Sequence, residues 1–179
     1  RIDDRMEQDI VFWQGEFWGK WMLSAVAACQ YTGSEALAET IRESARQILA
    51  TQDPSGYIGT YYESGFVNSR GGFCWNVWCR KYTLWGLVAA YGLIRDEAVL
   101  QGACRMMDHL MTEVGPGANP IITTGWCHGL ASTSILSPVV RLYRLTGEAR
   151  YLEYARYIVE QWQQHPDGRT LRPAPPGRD

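Results

Sequence analysis

The sequence predicts an all-α fold, a repeat of helical hairpins that curves into an α/α toroid. Three observations predict it: a turn-like motif recurs, a nearly uncharged segment precedes each turn, and an amphipathic segment follows each turn. The turns lie at residues 31–35, 91–97 and 143–148. Their spacing of roughly 50–60 residues suits a helix–turn–helix unit that stacks on copies of itself.

The segments before the turns are the predicted inner helices. A helix that is apolar nearly all round is buried in a fold of this kind. The few charged residues of these segments are Lys20 in 17–31, Arg80 and Lys81 in 77–92, and Arg141 and Arg144 in 132–145. Because so little charge would face solvent, we expect all three segments to form the inner layer.

The segments after the turns are the predicted outer helices, at residues 35–50, 96–113 and 148–162. Each holds five charged residues and also a single apolar stripe, such as Leu37 and Ile41 in the first. One apolar stripe on a charged helix is typical of a helix that lies outside and packs inward. The predicted order along the chain is therefore an inner helix followed by an outer helix, repeated three times.

Two long connections join an outer helix to the next inner helix, at residues 51–76 and 114–131. Long loops in a compact domain usually carry function, and both of these are rich in Gly, Tyr and Trp. Because each leads into the N-terminus of an inner helix, we expect both to open onto the same end of the stack. There they would shape the mouth of a pocket.

Three hairpins, predicted over residues 1–165, make only part of a ring. The first and last hairpins would each keep an unpaired apolar edge, which soluble monomers avoid. We therefore expect a second copy of the chain, or a missing C-terminal half, to cover the open edge. Residues 166–179 are rich in Pro, Gly and Arg, and this composition predicts a disordered tail.

Composition excludes several classes of protein. A chain of 179 residues, of which 46% are hydrophobic and 20% charged, is typical of one globular domain. The net charge is −2 and the basic residues are scattered, so no basic stripe indicates a nucleic-acid partner. No apolar run is long enough to span a membrane. The chain starts without a signal peptide, and its five cysteines are scattered, which favours reduced thiols and a cytoplasmic location.

The cysteines are candidates for thiol or metal chemistry, and Cys79 is the strongest because Arg80 and Lys81 follow it. Cationic neighbours lower the pKa of a thiol and so favour the reactive thiolate. Adjacent residues of a helix do not face each other, however, and the spacing from Cys74 to Cys79 is not that of a short zinc motif. We therefore expect buried structural cysteines and no metal site.

Carboxylates near the predicted mouth are few, namely Glu16, Asp53 and Glu63. Glycosidases need two carboxyl groups across the scissile bond, and no convincing pair emerges here. Glu16 begins the first inner helix, where it could bind a ligand or stabilise the helix dipole. Asp53, before Pro54, suits a turn. We do not expect this chain to catalyse a reaction alone.

Tryptophan is unusually frequent, with eight copies, and aromatic residues concentrate in the long loops and the first turns of the inner helices. Sugar rings present apolar C–H faces that stack on Trp and Tyr, while their hydroxyls need polar partners. Any single tryptophan is also a good core residue, and Trp85, further inside its helix, is assigned to the core. His109 and His165 are predicted to be solvated. The predicted carbohydrate-binding residues are Glu16, Trp18, Tyr57, Tyr61, Trp75, Asn76, Trp78, Lys81, His128 and Ser132.

Five segments are together similar, in order and spacing, to segments of one known family. They are residues 13–21 (WQGEFWGKW), 52–61 (QDPSGYIGTY), 80–84 (RKYTL), 129–134 (GLASTS) and 142–147 (LYRLTG). Over residues 1–165 the chain resembles glycoside hydrolase family 127, which is typified by β-L-arabinofuranosidases. The resemblance implies the first half of an (α/α)6 barrel that hydrolyses plant or bacterial glycans.

The same resemblance implies a mechanism for a full-length member, in which a zinc-bound cysteine thiolate is the nucleophile and a glutamate is the acid/base. Both groups belong to the second half of the barrel, which follows the segments matched here. Zinc is thus implied for a full-length member, and no cofactor for this chain. The sequence departs from the family at Asn76 and Ser132, where arabinofuranosidases carry sugar-binding histidines, and at Ser55, where the loop usually has aspartate.

Two other functions stay open at this point. A non-catalytic helical-repeat module could bind a glycan or a protein across the open edge of an incomplete ring. A different α/α-toroid enzyme, such as an epimerase or a lyase, would need His or Tyr acid–base groups. Only His128 and the loop tyrosines could provide those groups.

Overall fold

A computed structural model describes residues 13–61, 65, 67, 74–125 and 129–164. Within them six long helices form three hairpins, which confirms the predicted all-α hairpin repeat. The helices are α1 (Gln14–Thr32), α2 (Glu35–Ala50), α3 (Asn76–Ile94), α4 (Glu97–Glu113), the one-turn α5 (Leu130–Thr133), α6 (Leu136–Thr146) and α7 (Ala149–Gln164), with a 3-10 turn at Ile121–Thr123 before α5. The predicted tail, residues 166–179, lies outside the described residues.

The three hairpin turns share one geometry, which explains the recurring sequence motif. Each inner helix ends at a residue with a left-handed backbone: Gly33 (φ 65°), Arg95 (φ 54°) and Gly147 (φ 71°). Glycine adopts this conformation without steric cost. A side-chain cap begins the first two outer helices, since Ser34 accepts from the Leu37 amide and Asp96 accepts from the Ala98 amide.

The inner and outer layers are those that the charge pattern predicts. Helix α3 lies at the centre, packs against both α1 and α6, and has α2 and α4 on its outer side. Apolar residues along α3, such as Leu84 and Leu87, are fully buried, whereas α2 buries only the stripe of Ile41 and Ala45. The core therefore lies between the two layers.

The third inner helix differs from the single segment that the sequence predicts. It is broken at Ser134 and Ile135 into α5 and α6. Pro138 accounts for the break, because proline has no N–H to donate to the carbonyl of Ser134 four residues earlier, and its ring crowds that carbonyl.

Helices α1 and α3 approach each other closely at two glycines. A Cβ atom on Gly19 would collide with the Tyr82 carbonyl, and one on Gly86 would collide with the Trp18 ring. Only glycine permits this approach of two helix backbones. The close contact fixes the rotation of α1 against α3, and with it which side chains of the two helices meet.

The first long loop is tied to α4. Gln52 Nε2 donates to the carbonyls of Gly56 (2.9 Å) and Gly102 (3.0 Å). Asp53 Oδ1 accepts from the Ser55 amide at 2.8 Å, which confirms the turn role predicted for this carboxylate. The loop is therefore a packed element that places Tyr57 and Tyr61 against the helices.

Apolar surface is exposed at the outer edges of the described hairpins. Phe17 is 62% exposed and Trp21 42% exposed, and both line a groove between α1 and α2. On the last hairpin, Leu136, Val140 and Val159 line a second shallow groove. Both edges have the apolar character expected of an open ring. No helix of the described residues is long and apolar enough to cross a membrane.

Candidate functional site

Helix α3 carries a stripe of aromatic side chains on one face. Trp75, Trp78, Tyr82 and Trp85 recur every three or four residues, a spacing that brings side chains onto the same side of a helix. Ring centroids are 5.9 Å apart for the first pair, 5.2 Å for the second and 6.2 Å for the third. Trp13, before α1, extends the row, with its ring 4.6 Å from that of Trp75. We call these five residues the aromatic stripe.

Every ring of the stripe is half-buried, so each keeps an accessible part. This result contradicts the assignment of Trp85 to the core, which was wrong. Trp85 stacks on Tyr82 at an interplanar angle of 20° and lines a groove between α1, α3 and α6. The third inner helix does not cover it, because α6 presents the long side chain of Arg141 there, with the guanidinium 6.0 Å from the indole centroid.

Glu16 anchors the stripe to α1. Its side chain is nearly buried, and each oxygen has a partner: Oε1 accepts from Lys20 Nζ at 2.6 Å, and Oε2 accepts from Trp78 Nε1 at 2.7 Å. The hydrogen bond from Lys20 raises the pKa of that lysine. Because both oxygens are engaged, Glu16 acts in this structure as a positioning residue that orients Trp78.

Lys81 lies beside the stripe and has no acceptor among the described residues. Its side chain is 96% buried, with an exposure of 4%. The ammonium lies 3.7 Å from the ring centroid of Trp78 and 3.8 Å from that of Tyr82. Burial is the main cause that lowers the pKa of Lys81 to about 8, with Glu16 acting against it and Lys20 acting with it. Ring faces contact this charge directly, while Glu16 attracts it without a hydrogen bond.

The opposite side of α3 holds a separate ionic group, which we call the arginine cluster (Tyr57, Arg80, His109 and Glu113). Arg80 is fully buried and donates to Glu113 Oε2 and to His109 Nδ1, both at 2.6 Å. Its guanidinium lies over the Tyr57 ring, 4.8 Å from the centroid. The cluster joins α3 to α4 and to the first long loop.

His109 is part of this cluster, so the prediction of a solvated surface histidine was wrong. Its side chain is only 11% exposed. Burial, and then the charge of Arg80, lower the pKa of His109. Since arginine can only donate, Nδ1 accepts and the ring is neutral. The error arose because α4 turns its His109 edge toward α3, which the outer-helix pattern alone does not reveal.

The two loop tyrosines have structural contacts. Tyr57 donates its hydroxyl hydrogen to the Tyr61 carbonyl at 2.9 Å. The Tyr61 hydroxyl accepts from the Trp75 amide at 2.9 Å and so supports the start of the stripe. Burial raises the pKa of Tyr57 to about 12 and also raises that of Tyr61. Neither phenol is therefore suited to act as a base near neutral pH.

The remaining predicted binding residues are dispersed. Trp18 lies on the other side of α1, where Nε1 donates to Ser44 Oγ of α2 at 3.0 Å. Asn76 and Ser132 are fully buried, and Ser132 Oγ has no hydrogen-bond partner within the described part of the chain. His128 lies outside the described residues. The structure thus brings together Glu16, Trp75, Trp78 and Lys81, and it places Trp18 apart from them.

Tyr82 and Lys20 belong to the site but were missed from the sequence. The signal for Tyr82 was present, because its spacing of four from Trp78 and three from Trp85 predicts one helical face. Lys20 follows Glu16 by four residues, a spacing typical of a helical ion pair. Both signals become specific only when α1 and α3 are known to pack face to face.

The described residues do not fit a zinc ion. Among them, no three His, Cys, Asp or Glu side chains lie close enough to hold a metal together. Burial raises the pKa of Cys79 to about 12 and also raises those of Cys74 and Cys104. A metal ligand must be deprotonated, so these thiols are poor ligands. Cys127 and His128 lie outside the described residues.

Comparisons with known proteins agree with the geometry. The sequence profile of the β-L-arabinofuranosidase GH127 catalytic domain matches residues 4–174. A solved GH127 β-L-arabinofuranosidase from Geobacillus stearothermophilus T6 is similar with a TM-score of 0.67 at 21% identity, over 88% of this chain and 24% of that chain. Another solved GH127 β-arabinofuranosidase has a TM-score of 0.66 at 19% identity, over 92% of this chain and 26% of that one.

At these identities the structural likeness shows the fold alone. The coverage shows that the chain spans about a quarter of the length of the solved proteins that it matches. No curated protein matches the sequence.

Proposed function

The chain belongs to the GH127 β-L-arabinofuranosidase catalytic-domain family, and from this premise we propose that it is part of a glycoside hydrolase acting on plant or bacterial glycans. In this proposal the chain supplies a carbohydrate-binding wall and the catalytic residues lie elsewhere in the barrel. The aromatic stripe is the observation that carries it.

The stripe has the chemistry that sugar binding requires. Half-buried rings in a row offer successive platforms for the apolar C–H faces of pyranose or furanose rings. Lys20 and Lys81 lie directly beside those rings and can donate hydrogen bonds to sugar hydroxyls, while Glu16 holds Trp78 in position. Fixed polar groups beside apolar rings are the usual composition of a ligand site.

The same site lacks the pair of carboxylates that acid–base glycoside hydrolysis uses. Such pairs stand about 5–10 Å apart on either side of the scissile bond. Within the described parts of the inner helices, Glu16 is the sole acidic residue, and its two oxygens are occupied by Lys20 and Trp78. The residues of this chain therefore bind and orient the sugar and exclude water from one side of it.

For a full-length member we propose that zinc binds outside the described residues, where it would supply a stabilised thiolate. No step of the role proposed for this chain passes through the metal. The chain contributes the fixed wall formed by α1 and α3.

We expect the purified 179-residue chain to show no glycosidase activity toward aryl glycosides without added zinc or a partner. The physical reason is that no second carboxylate accompanies Glu16 on the described parts of the inner helices, and Glu63 lies outside the described residues. Release of the aryl alcohol, followed by absorbance, measures it. Turnover above that of a buffer blank would contradict the proposed division of roles.

Binding is tested separately, by the change in tryptophan fluorescence on titration with plant glycan oligosaccharides. Trp75→Ala should weaken binding by about 1 kcal/mol or more, the usual contribution of one aromatic platform. Trp21→Ala, which removes an exposed tryptophan off the stripe, is the matched control and should leave binding unchanged. Absence of binding to every glycan would contradict the proposal.

A second candidate, a module that binds a protein or a glycan across its open edge, is favoured by the exposed Phe17 and Trp21 in the groove between α1 and α2. Light scattering tests this candidate, since a stable monomer without affinity for glycan would count against both self-assembly through the open edge and a sugar role. The epimerase or lyase alternative is weakened by the raised pKa values of Tyr57 and Tyr61.

A further inference from the structure

The two layers of the fold differ sharply in charge. The whole chain has a net charge of −2, yet the described inner helices hold a single acid, Glu16. Their basic residues are Lys20, Arg80, Lys81, Arg141 and Arg144. The remaining described acids lie on the outer helices, in the first loop or in the turns. The described inner helices are therefore positive on balance, although the chain as a whole is negative.

Two of the five inner cations already have an anionic partner. Arg80 is bound to Glu113 on the opposite side of α3 at 2.6 Å, and Lys20 is bound to Glu16 at 2.6 Å. Lys81, Arg141 and Arg144 have no acidic partner among the described residues. Arg141 and Arg144 lie on α6 and line the groove of about 760 Å³ that Trp85 also lines. Unpaired positive charge therefore extends along the stripe toward α6.

Lys81 is the centre of this charge, because it is also the buried one. The residue is only 4% exposed, but its Nζ is not among the fully buried atoms that lack a partner, so the ammonium still reaches solvent. Partial loss of water costs a charged group free energy, and aromatic faces offset only part of that cost, about 0.5–2 kcal/mol. Glu16 could serve as the acceptor but is held by Lys20 and Trp78. The position therefore suits an acceptor that arrives with the ligand and carries negative charge.

The geometry points to an acidic sugar as the ligand of this site: we infer that a uronate-type residue stacks on the Trp78–Tyr82 part of the stripe and places its carboxylate against Lys81. This inference rests on the proposed carbohydrate-binding function and names the substrate class. A neutral sugar would use the rings but leave the ammonium without an anion. A free inorganic anion would use the ammonium but leave the rings unused.

The test compares two ligands that differ only in charge, oligogalacturonate and the same oligomer with its carboxylates reduced to alcohols. Affinities for the 179-residue chain are measured by titration calorimetry at low and at high salt. We expect the acidic oligomer to bind at least about tenfold more tightly at low salt, and high salt to remove most of the difference, since added ions screen charge.

Two variants locate the effect. Lys81→Met keeps a long apolar side chain beside the rings but removes the charge. The preference for the acidic oligomer over the reduced oligomer should therefore fall to about twofold, while the neutral oligomer still binds. Arg46→Met is the matched control, because Arg46 is an exposed cation of the outer helix α2, paired with Glu43, and its loss should leave the preference intact. Inorganic phosphate should compete poorly, since it cannot stack.

Each outcome decides the inference. Equal binding of the two oligomers overturns it and leaves the proposed function standing. Failure of both oligomers to bind also overturns it, and the titrations with other plant glycan oligosaccharides then decide whether the proposed function stands. A preference that survives Lys81→Met, or competition by phosphate as strong as by galacturonate, also overturns it. If Lys81→Met does not fold, as judged by circular dichroism, the salt and reduced-oligomer comparisons on the unaltered chain decide alone.

Discussion

Arg80 and Lys81 are neighbours on α3, and the structure gives them opposite surroundings. Arg80 points toward α4, where it is fully buried and bonded to Glu113 and His109. Lys81 points toward the aromatic stripe, where it is nearly as buried but has the rings of Trp78 and Tyr82 as the direct contacts of its ammonium. The arginine cluster joins elements of the fold, whereas the stripe with Lys81 presents a charge without an anion.

The difference teaches how to separate a structural cation from a binding one. Burial alone does not distinguish them, because both residues are at least 96% buried. What distinguishes them is whether the protein itself supplies the acceptors. Because consecutive helix residues point about 100° apart, one turn of α3 contributes Arg80 to the arginine cluster and places Lys81 beside the aromatic stripe.

The largest effect expected from this comparison is on stability. Arg80→Met leaves Glu113 and His109 buried without their cation, so the free energy of unfolding should fall by about 3–5 kcal/mol. Lys81→Met breaks no hydrogen bond and should change it by less than about 1 kcal/mol. Urea denaturation measures both. Equal losses in the two variants would show that the contrast between the residues is false.

The pH dependence of stability sharpens the same comparison. Burial and Arg80 lower the pKa of His109 in the folded chain, although Glu113 and Asp53 act in the opposite direction. In the unfolded chain the His109 ring is protonated as pH falls through about 6.5, whereas in the folded chain it stays neutral to a lower pH. The contribution of His109 to the free energy of unfolding is therefore fully present above about pH 6.5. It is lost as pH falls from there through the lower pKa of the folded chain.

Urea midpoints between pH 8 and pH 5 check this expectation. His109→Gln should reduce the loss of stability on the acid side, while His165→Gln, the matched change just before the predicted tail and outside the described residues, should leave that loss in place. A decline that is identical in the unaltered chain and in His109→Gln would assign the acid sensitivity to other groups.

The smallest effect is expected at Arg95, the cation that ends α3. Its φ of 54° is left-handed, where the two equivalent turns have glycine. A left-handed backbone costs a non-glycine residue about 1–2 kcal/mol. Two effects favour Arg95 over glycine and offset part of this cost. Glycine would lose more backbone entropy on folding, and the Arg95 guanidinium contacts the Tyr91 ring.

Arg95→Gly should therefore raise the free energy of unfolding by about 0.5 kcal/mol. Arg95→Ala, which loses the ring contact but keeps the strained backbone, should lower it. Thermal unfolding of the two variants measures the difference, and a lower stability of Arg95→Gly than of the unaltered chain would show that the guanidinium contact outweighs the backbone strain.

Much of the fold follows from the sequence because its signals are local. The turns at Gly33 and Gly147, the alternation of uncharged and charged helices, and the loop carboxylate Asp53 all depend on residues a few positions apart. Hydrophobic periodicity and turn chemistry act over that range. The same local reasoning placed Trp75, Trp78 and Lys81 in one candidate site, and their spacing along α3 brings them together.

What the sequence by itself determined is thus a repeat of three hairpins, with inner and outer helices and aromatic residues at the start of the inner ones. Only the tertiary structure decided which way each helix faces. The Gly19 and Gly86 contact rotates α1 so that Glu16 meets Trp78 while Trp18 turns to Ser44. The approach of α4 buries His109 beside Arg80, and α6 presents Arg141 beside Trp85, which stays half-buried. These outcomes depend on contacts between residues distant in the chain, and periodicity within one helix carries no information about its partner's rotation.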